Sequence, residues 1–516
     1  MSDLSSEIDR DKTGHQSLFY GSSREGIHMQ HHLINRPTSR RDFLQNAGLG
    51  CGSLALTSLL HQEGVVSARS SSNYPLAVRA SNFNPRAKSV IWLFQTGSPS
   101  QVDTFDYKPE LQKRDGTSLA GADPKTGFFT TSGKCLKSPF KWAQHGESGA
   151  WTSEIFPNIS KHVDDIAFVY SCYSQSNNHT PAMLQFNSGM IRQGYPSMGS
   201  WLTYGLGSEN NNLPAYVVMH GTKPRGGDPI WSSGFLPSVF QATALDPRGE
   251  TPIDNLNRSG ELSGEQQRSL LDVLNKANAK HAKTRPFDRD LNARLESFEL
   301  AYRMQTAAPE AFDLAQEPQH IQEMYGLNRD ESKDYARQCI IARRLVERGV
   351  RFVQIFASCP NAPGGAVSDV PWDGHSNINE NHRACASTVD QPTAALLTDL
   401  KQRGMLDETI IIYGGEFGRT SDSQGAAGRD HNPNAFTTWF AGGGFKGGAQ
   451  YGASDEFGYK SVEKRVNAHD IHATVLHQMG IDHKKLTYRF NGRDFRLTDV
   501  EGVVLDEILE TASQLT

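Results

Sequence analysis

The sequence predicts an α/β fold, with a doubly wound, mostly parallel sheet and helices on both faces. Three observations support this fold class: short apolar runs recur along the chain, amphipathic segments with helical spacing separate them, and polar loops follow them. A run that is apolar throughout is typical of a strand buried on both faces. The alternation of such strands with helices favours a parallel sheet covered by helices.

Six apolar runs are predicted to be the strands of this sheet. The first, SVIWLFQ, has no alternating polar face, which indicates burial on both sides. The others are similar in length and in their content of β-branched and aromatic residues. The predicted strands are Ser89–Gln95, Ile166–Ser171, Ala215–Met219, Arg351–Phe356, Thr409–Tyr413 and Ala435–Ala441.

Helix boundaries are marked by proline and glycine. Glu331–Arg348 is predicted to be a helix that Gly349 ends. A second helix is predicted over Gln391–Arg403, because Pro392 suits a first helical turn. A third covers Asp470–Met479 and precedes a glycine. Residues 221–330 are polar with few strand patterns, so we expect a helical insertion or cap there.

Charge and hydropathy exclude two classes of partner. The 516 residues carry 52 Lys and Arg against 57 Asp and Glu, a formal net charge of −5, without the basic stripe that nucleic acid requires. No apolar run reaches the roughly 18 residues of a membrane-spanning helix. We therefore expect no nucleic-acid partner and no stable membrane span.

The N-terminal region has the pattern of an export signal. Arg40 and Arg41 precede a Phe-Leu pair and a mildly apolar, glycine-rich run, which is the twin-arginine pattern. Residues 1–69 are therefore predicted to be a disordered N-terminal region plus a signal peptide, and 83–516 the α/β domain. The expected partner during export is the twin-arginine translocase, and the expected location is periplasmic or extracellular.

Charged and imidazole side chains are concentrated in the loops beside the predicted strands. Ligands of open α/β sheets bind beyond the carboxyl ends of the strands, so these loops form the predicted site. They bring acids, imidazoles, one arginine and one hydroxyl toward one rim. The candidate residues are Asp103, Asp106, His179, Thr180, Asp373, His375, Glu416, Arg419 and His431.

Mixed carboxylate and imidazole ligands indicate a divalent cation, Zn²⁺, Mn²⁺ or Ca²⁺, of which Ca²⁺ would need more oxygen ligands. Such an ion can polarise a phosphoryl or sulfuryl oxygen. Arg419 could hold the anion, and Thr180 could be a metal-activated nucleophile beside His179. Structural roles remain open: Asp103 and Asp106 could cap a helix, and Arg419 could form an ion pair.

Motifs of other enzyme classes are missing from the sequence. No GxxxxGK[ST] loop, no GxGxxG at the start of a helix and no CxxCH haem motif occurs. Nucleotide-binding and redox functions are therefore disfavoured, although twin-arginine export often carries cofactor proteins.

Several motifs together resemble one family of exported bacterial proteins, domain of unknown function 1501. They are WDGHSN from Trp372, GGEFGRT from Gly414 and GRDHNPNAF from Gly428. The family in turn resembles the alkaline phosphatase and sulfatase superfamily. That resemblance implies metal ligands at Asp103 or Asp106, at the pair Asp373 and His375 and at His431, and it makes Thr180 the nearest candidate nucleophile.

Two departures from the superfamily pattern bear on function. Glu416-Phe417-Gly418 stands where the superfamily has Asp-His-Gly, and the sulfatase CxPxR motif is absent after Cys172. Formylglycine chemistry is therefore not expected. The leading hypothesis is an exported metal-dependent hydrolase of phosphate or sulfate esters, acting on a small-molecule or polysaccharide ester. The alternative is a catalytically degenerate binding or scaffold protein with the same fold.

Overall fold

The computed structural model describes residues 75–119, 121–123, 125–248, 263–283, 289–363 and 368–511. They lie within one compact unit, Ser70–Thr516. The predicted N-terminal region and signal peptide, residues 1–69, lie outside the described residues. Across the described ranges, no helix has both the length and the apolar character needed to cross a membrane.

An eight-stranded sheet forms the centre of the fold, and its strand order is β12-β4-β11-β8-β1-β7-β5-β6. Two-stranded ladders pair β2 with β3, β9 with β10, β13 with β14, and β15 with β16. In chain order the strands are β1 Ser89–Phe94, β2 Trp142–His145, β3 Ala150–Ser153, β4 Ile166–Cys172, β5 Tyr216–His220, β6 Thr243–Leu245, β7 Phe352–Phe356, β8 Thr409–Gly414, β9 Gly418–Arg419, β10 His431–Asn432, β11 Phe436–Ala441, β12 Gln450–Tyr451, β13 Ala453–Ser454, β14 Ser461–Glu463, β15 Tyr488–Phe490 and β16 Arg493–Phe495.

Helices cover both faces of the sheet. Side chains of β1 alternate between two buried apolar layers, with Ile91 and Leu93 in one and Val90 and Trp92 in the other. The α-helices are α1 Gln101–Thr104, α2 Pro109–Lys113, α3 His179–Ser188, α4 Met198–Leu206, α5 Gly264–Lys283, α6 Arg289–Phe312, α7 Gln319–Tyr325, α8 Lys333–Glu347, α9 Ile378–Gln402 and α10 Ala468–Gln478. Short 3-10 helices cover Ile159–Asp165, Asp228–Trp231, Ser238–Phe240, Leu314–Gln316, Leu406–Glu408 and Asp506–Ile508.

The arrangement confirms the predicted fold class. Helices α8 and α9 contribute to the layer that contains Ile91, whereas α4 and α10 contribute to the layer that contains Val90. The ladders joining β8, β1, β7, β5 and β6 are all parallel. The six predicted strands occur within one or two residues of their predicted ends.

The start of helix α9 differs from the prediction. The helix begins at Ile378, capped by the Asn377 side chain, and Pro392 lies in its interior. Proline favours the first turn because it lacks the N–H that a helix interior needs. Here the buried neighbours of Pro392 hold the helix together despite that loss. The longer helix reaches back to the segment that contains Asp373 and His375.

Much of the polar region 221–330 is helical where it is described. It contains α5, α6 and α7, although β6 also extends the edge of the sheet there. Helix α6 packs Met304 and Ala311 into the core, whereas Leu270, Val273 and Leu274 of α5 are exposed.

One antiparallel strand brings the residues of the site together. Strand β11 runs antiparallel to both β4 and β8, so its first residues lie at the carboxyl edge of those strands. Residues that precede β11 therefore meet residues that follow β4 and β8. This explains how His431, which comes before a strand, reaches the same edge as Glu416, which comes after one.

The cysteines in the described part of the chain are all buried and unpaired. None of them forms a disulfide bond, and burial raises the pKa of Cys172 to about 12. They therefore behave as small apolar core residues. They are Cys135, Cys172, Cys339, Cys359 and Cys385.

Replacing the buried Leu400 of α9 by alanine is predicted to lower the free energy of unfolding by about 2–5 kcal/mol, because the lost methyl groups leave a cavity in the core. Leu270→Ala is the matched control, since that side chain is 50% exposed, and its change is expected to stay within about 0.5 kcal/mol. Urea unfolding measures both. Equal losses in the two variants would argue against the assigned core.

Candidate metal centre

The loops after β1 and β8 lie against each other. A Cβ added at Gly415 would stand 2.7 Å from the Gln95 carbonyl oxygen, so the contact requires glycine. The Ser98 hydroxyl accepts hydrogen bonds from the backbone N–H groups of Glu416 and Phe417, at 3.2 and 3.1 Å. These contacts fix the Glu416 side chain at the carboxyl edge of the sheet.

Glu416 orients His179 at the start of α3. Its Oε1 accepts from the Gly97 backbone N–H at 3.1 Å and lies 2.6 Å from Nδ1 of His179. The other ring nitrogen, Nε2, is 3.3 Å from Oδ2 of Asp373 but makes no hydrogen bond with it. Oε2 of Glu416 is buried and has no hydrogen-bond partner.

Asp373 occupies the middle of the cluster. Its Oδ1 lies 2.7 Å from Nη2 of Arg419, 2.9 Å from Nε2 of His375 and 3.2 Å from Nε2 of His431. Burial raises the pKa of Asp373, but Arg419 and the imidazoles of His179, His375 and His431 outweigh it and hold that pKa well below its usual range. The carboxyl group is therefore ionised at neutral pH.

His431 is held by a short hairpin and by a backbone carbonyl. It pairs with Arg419 across the β9–β10 ladder, so the two side chains are positioned together. Its Nδ1 lies 2.5 Å from the carbonyl oxygen of Asn177, which can only accept a hydrogen bond. Nδ1 therefore carries the proton. Burial is the main cause that lowers the pKa of His431, to about 4, so the ring is neutral and Nε2 presents a lone pair to the cluster.

His375 and Asp430 complete the cluster. Nε2 of His375 lies 3.0 Å from Nε2 of His431, and its Nδ1 contacts Oε1 of Gln424 at 2.5 Å. Asp430 accepts the His431 backbone N–H at 2.7 Å, and its Oδ1 is 3.8 Å from Nδ1 of His375. Asp430 was not predicted as a site residue, although its position directly before His431 was a usable indication.

Arg419 is engaged on two sides. Its Nε donates to the Ser98 carbonyl at 3.2 Å, and its Nη2 donates to the Gly97 carbonyl while contacting Asp373. Nη1 is buried without a hydrogen-bond partner. One guanidinium nitrogen therefore remains without a partner, and Arg419 acts first as a fixed positive charge beside Asp373.

Asp103 and Asp106 lie in other contacts. Oδ2 of Asp103 forms a buried ion pair with Nε of Arg429 at 2.6 Å. Asp106 pairs with Lys108 at 2.9 Å and accepts from the Ser454 hydroxyl. The structure does not bring either carboxylate to Asp373, because both are occupied by partners of their own. We therefore leave both out of the proposed ligand set.

Thr180 follows His179 in the first turn of α3 and is half-buried. Its methyl group faces Gly226, in the loop after β5. Arg225 of the same loop pairs with Asp369 through two hydrogen bonds of 3.0 and 2.9 Å. These bonds raise the pKa of Arg225, and the charges of Asp373 and Glu416 add to the effect, so a half-exposed cation lies within electrostatic reach of the cluster.

The residues suit a divalent cation. His179, Asp373 and His431 offer ligand atoms that lie within 4.8 Å of one another, as do His375, Asp430 and His431. Nitrogen and oxygen donors of this kind are those that bind Zn²⁺ or Mn²⁺. Oε2 of Glu416 is buried and has no hydrogen-bond partner, which is costly for a polar atom. This oxygen is therefore a further candidate metal ligand.

The fold and the site define an α/β protein with a carboxylate and imidazole cluster at the carboxyl edge of a mostly parallel sheet. The chain belongs to the family described as "Protein of unknown function (DUF1501)", whose model matches residues 87–509. This match confirms the resemblance drawn from the sequence motifs. No curated protein matches the chain.

Solved structures show distant similarity. The PsFucS1 sulfatase from Pseudoalteromonas sp. is 11% identical, with 84% of this chain and 73% of that chain covered and a TM-score of 0.35. The phosphonate monoester hydrolase SpPMH from Silicibacter pomeroyi is 13% identical, with coverage of 70% and 73% and a TM-score of 0.33. The lipoteichoic acid synthase LtaP from Listeria monocytogenes is 11% identical, with coverage of 86% and 79% and a TM-score of 0.32. Values this low assign none of these activities to the present chain.

A double-mutant cycle on Asp103 and Arg429 is predicted to show coupling. Asp103→Asn and Arg429→Met should each lower the free energy of unfolding by about 3–5 kcal/mol, because each leaves a buried charge unpaired. The double variant should lose less than the sum, by about 0.5–3 kcal/mol.

Urea unfolding of the four proteins measures this coupling. Additive losses would contradict the ion pair as a unit. Metal content of folded Asp103→Asn should equal that of the wild type, and loss of metal in that variant would return Asp103 to the ligand set.

Proposed function

We propose that this protein is an exported, metal-dependent hydrolase of phosphate or sulfate esters. The metal would be held by Asp373, His431, His375 and His179 at the carboxyl edge of the sheet. Glu416 would orient His179, as second carboxylates commonly do for metal-ligating imidazoles. The superfamily resemblance of the sequence motifs supports the same reaction class.

One observation carries the metal site: a lone pair of His431 and a carboxylate oxygen of Asp373 face each other at short range. Nε2 of His431 presents a lone pair, because its Nδ1 proton is directed to the Asn177 carbonyl. That lone pair lies 3.2 Å from Oδ1 of Asp373. A divalent cation bound to both atoms would remove the repulsion between them.

The charge of the cluster supports the same proposal. Asp373, Glu416 and Asp430 supply three carboxyl groups, against the guanidinium of Arg419 and the imidazole of His179, whose pKa is raised because Asp373 and Glu416 outweigh its burial. Glu416, Asp430 and Arg419 are fully buried, so water does little to screen this excess of negative charge. A divalent cation would compensate it.

The surrounding residues have separate roles in the proposed reaction. A bound ion would act as a Lewis acid toward an ester oxygen. Arg419 keeps Asp373 ionised and so available as a ligand. If the attacking group is a side chain of the protein, Thr180, the residue after His179, is the proposed nucleophile.

Metal analysis tests the proposed centre. We expect stoichiometric Zn²⁺ or Mn²⁺ in protein purified without chelator or soaked with either ion, and loss of that metal in Asp373→Asn and His431→Ala, because each removes a ligand. His320→Ala is the matched control, since it removes an exposed imidazole of α7 and should retain the metal. Elemental mass spectrometry measures the content.

Hydrolysis of p-nitrophenyl phosphate and p-nitrophenyl sulfate by the same proteins tests the reaction. Turnover that needs the metal and disappears in both ligand variants supports the proposal. A wild type that binds no metal after soaking would refute the centre. Bound metal without turnover of either ester class would instead favour a binding protein.

Export by the twin-arginine route is proposed from Arg40-Arg41 and the Phe-Leu pair that follows. Replacing both arginines by lysine is expected to leave the protein in the cytoplasm, because the route recognises the arginine pair. Cell fractionation with an antibody against the chain measures this. Arg10→Lys, outside the pair, is the control, and unchanged export of the double variant would contradict the route.

A further inference from the structure

Two adjacent phenylalanines stand exposed beside the imidazoles of the centre. Phe128 is 49% exposed and Phe129 is 51% exposed. The ring of Phe128 lies 5.7 Å from the ring of His431, and that of Phe129 lies 5.1 Å from the ring of His375. The two phenyl rings meet edge to face at 5.1 Å. An apolar surface thus borders the polar cluster directly.

The segment that carries the two rings is held in place by residues of the centre itself. The Phe129 backbone N–H donates to Oδ2 of Asp430 at 2.6 Å. The side-chain amide of Asn177 donates to the Gly127 carbonyl at 2.9 Å. A Cβ at Gly127 would lie 2.3 Å from Asp430, so the close approach requires glycine. These contacts fix the backbone that carries the two rings beside the cluster.

We infer that Phe128 and Phe129 form a binding surface for a flat apolar ring that is attached to the anionic group of the substrate. The inference rests on the proposed function, because it names the class of ester that the same centre would take. An aryl ring and the apolar face of a pyranose share this chemistry. Either could lie on the phenyl rings while its phosphate or sulfate group reaches the cluster.

The two phenyl rings lie close to the centre and are half-exposed. Both phenyl rings contact imidazoles that face Asp373, so a ligand whose anion is at the centre has its adjacent atoms within reach of the rings. A flat ligand that covers two half-exposed phenyl rings gains binding free energy from burial of apolar surface and from stacking. A merely structural pair would bury its rings against the protein, as Phe105 and Phe156 do at 4.9 Å.

Calorimetric binding of phosphonates tests the surface without turnover, since their C–P bond is not the ester bond cleaved in the proposed reaction. The ligands are methylphosphonate, phenylphosphonate and a pyranosylmethylphosphonate in which a CH2 group joins the sugar carbon to phosphorus, each added to the metal-loaded full chain. The wild type should bind a ring-bearing ligand about tenfold more tightly than methylphosphonate, a ratio within the range of stacking on aromatic side chains.

The variant Phe128→Ala/Phe129→Ala should lose that preference while its affinity for methylphosphonate and its metal content stay unchanged. Phe128→Leu/Phe129→Leu keeps apolar bulk without a flat face and should show an intermediate preference. Phe298→Ala removes a phenyl ring of α6 that is 58% exposed and should retain the full preference. Circular dichroism checks that each variant is folded.

The outcomes separate this inference from the proposed function. Equal affinity of the wild type for all three phosphonates, with metal bound, overturns the ring surface and leaves the metal centre standing. Binding of none of them overturns the anion-binding centre and the ring surface together. Preference for one ring-bearing ligand supports the surface and identifies its source as aryl or sugar.

Discussion

The carboxylate of Asp373 is the point on which the other contacts of the site depend. One oxygen meets Arg419, His375 and His431, and the other faces His179. A mostly buried carboxylate is tolerated only where charges or donors compensate it. Since its four partners come from loops after β4, β7 and β8 and from the hairpin before β11, the sheet must bring all of these loops to one edge.

Contacts between the loops, in addition to the pairing of the strands, bring the residues of the site together. Parallel pairing of β1 with β8 delivers two loops side by side, and Gly415 lets them touch. Arg419 then binds the carbonyls of Gly97 and Ser98 as well as Asp373, so one guanidinium ties the β1 loop to the cluster. The buried ion pair of Asp103 and Arg429 links helix α1 to the loop that precedes β10. The two arginines thus have different roles, because Arg429 neutralises an acid outside the cluster.

The sequence was informative where one local rule decides the outcome. Continuous apolar runs located the strands, because little else produces such runs in this chain. The location of six site residues followed from their place beside strand ends. The same rule did not locate Asp103. A side chain a few residues after a strand can face the sheet edge or a partner such as Arg429, and contacts distant in sequence decide between the two. Phe128 and Phe129 lie far from any predicted strand, so only the fold reveals their position.

The departure from the Asp-His-Gly pattern gains a physical meaning in the structure. Phe417 stands where the resemblance implied an imidazole, and its ring packs 4.9 Å from His179 and 4.6 Å from His431. It cannot bind a metal, but it fills the space between two imidazoles and the sheet. His179 comes from a different loop, and Glu416, the residue before Phe417, fixes its Nδ1. The substitution thus leaves the cluster with three imidazoles, His179, His375 and His431, so the altered motif remains compatible with a metal-binding centre.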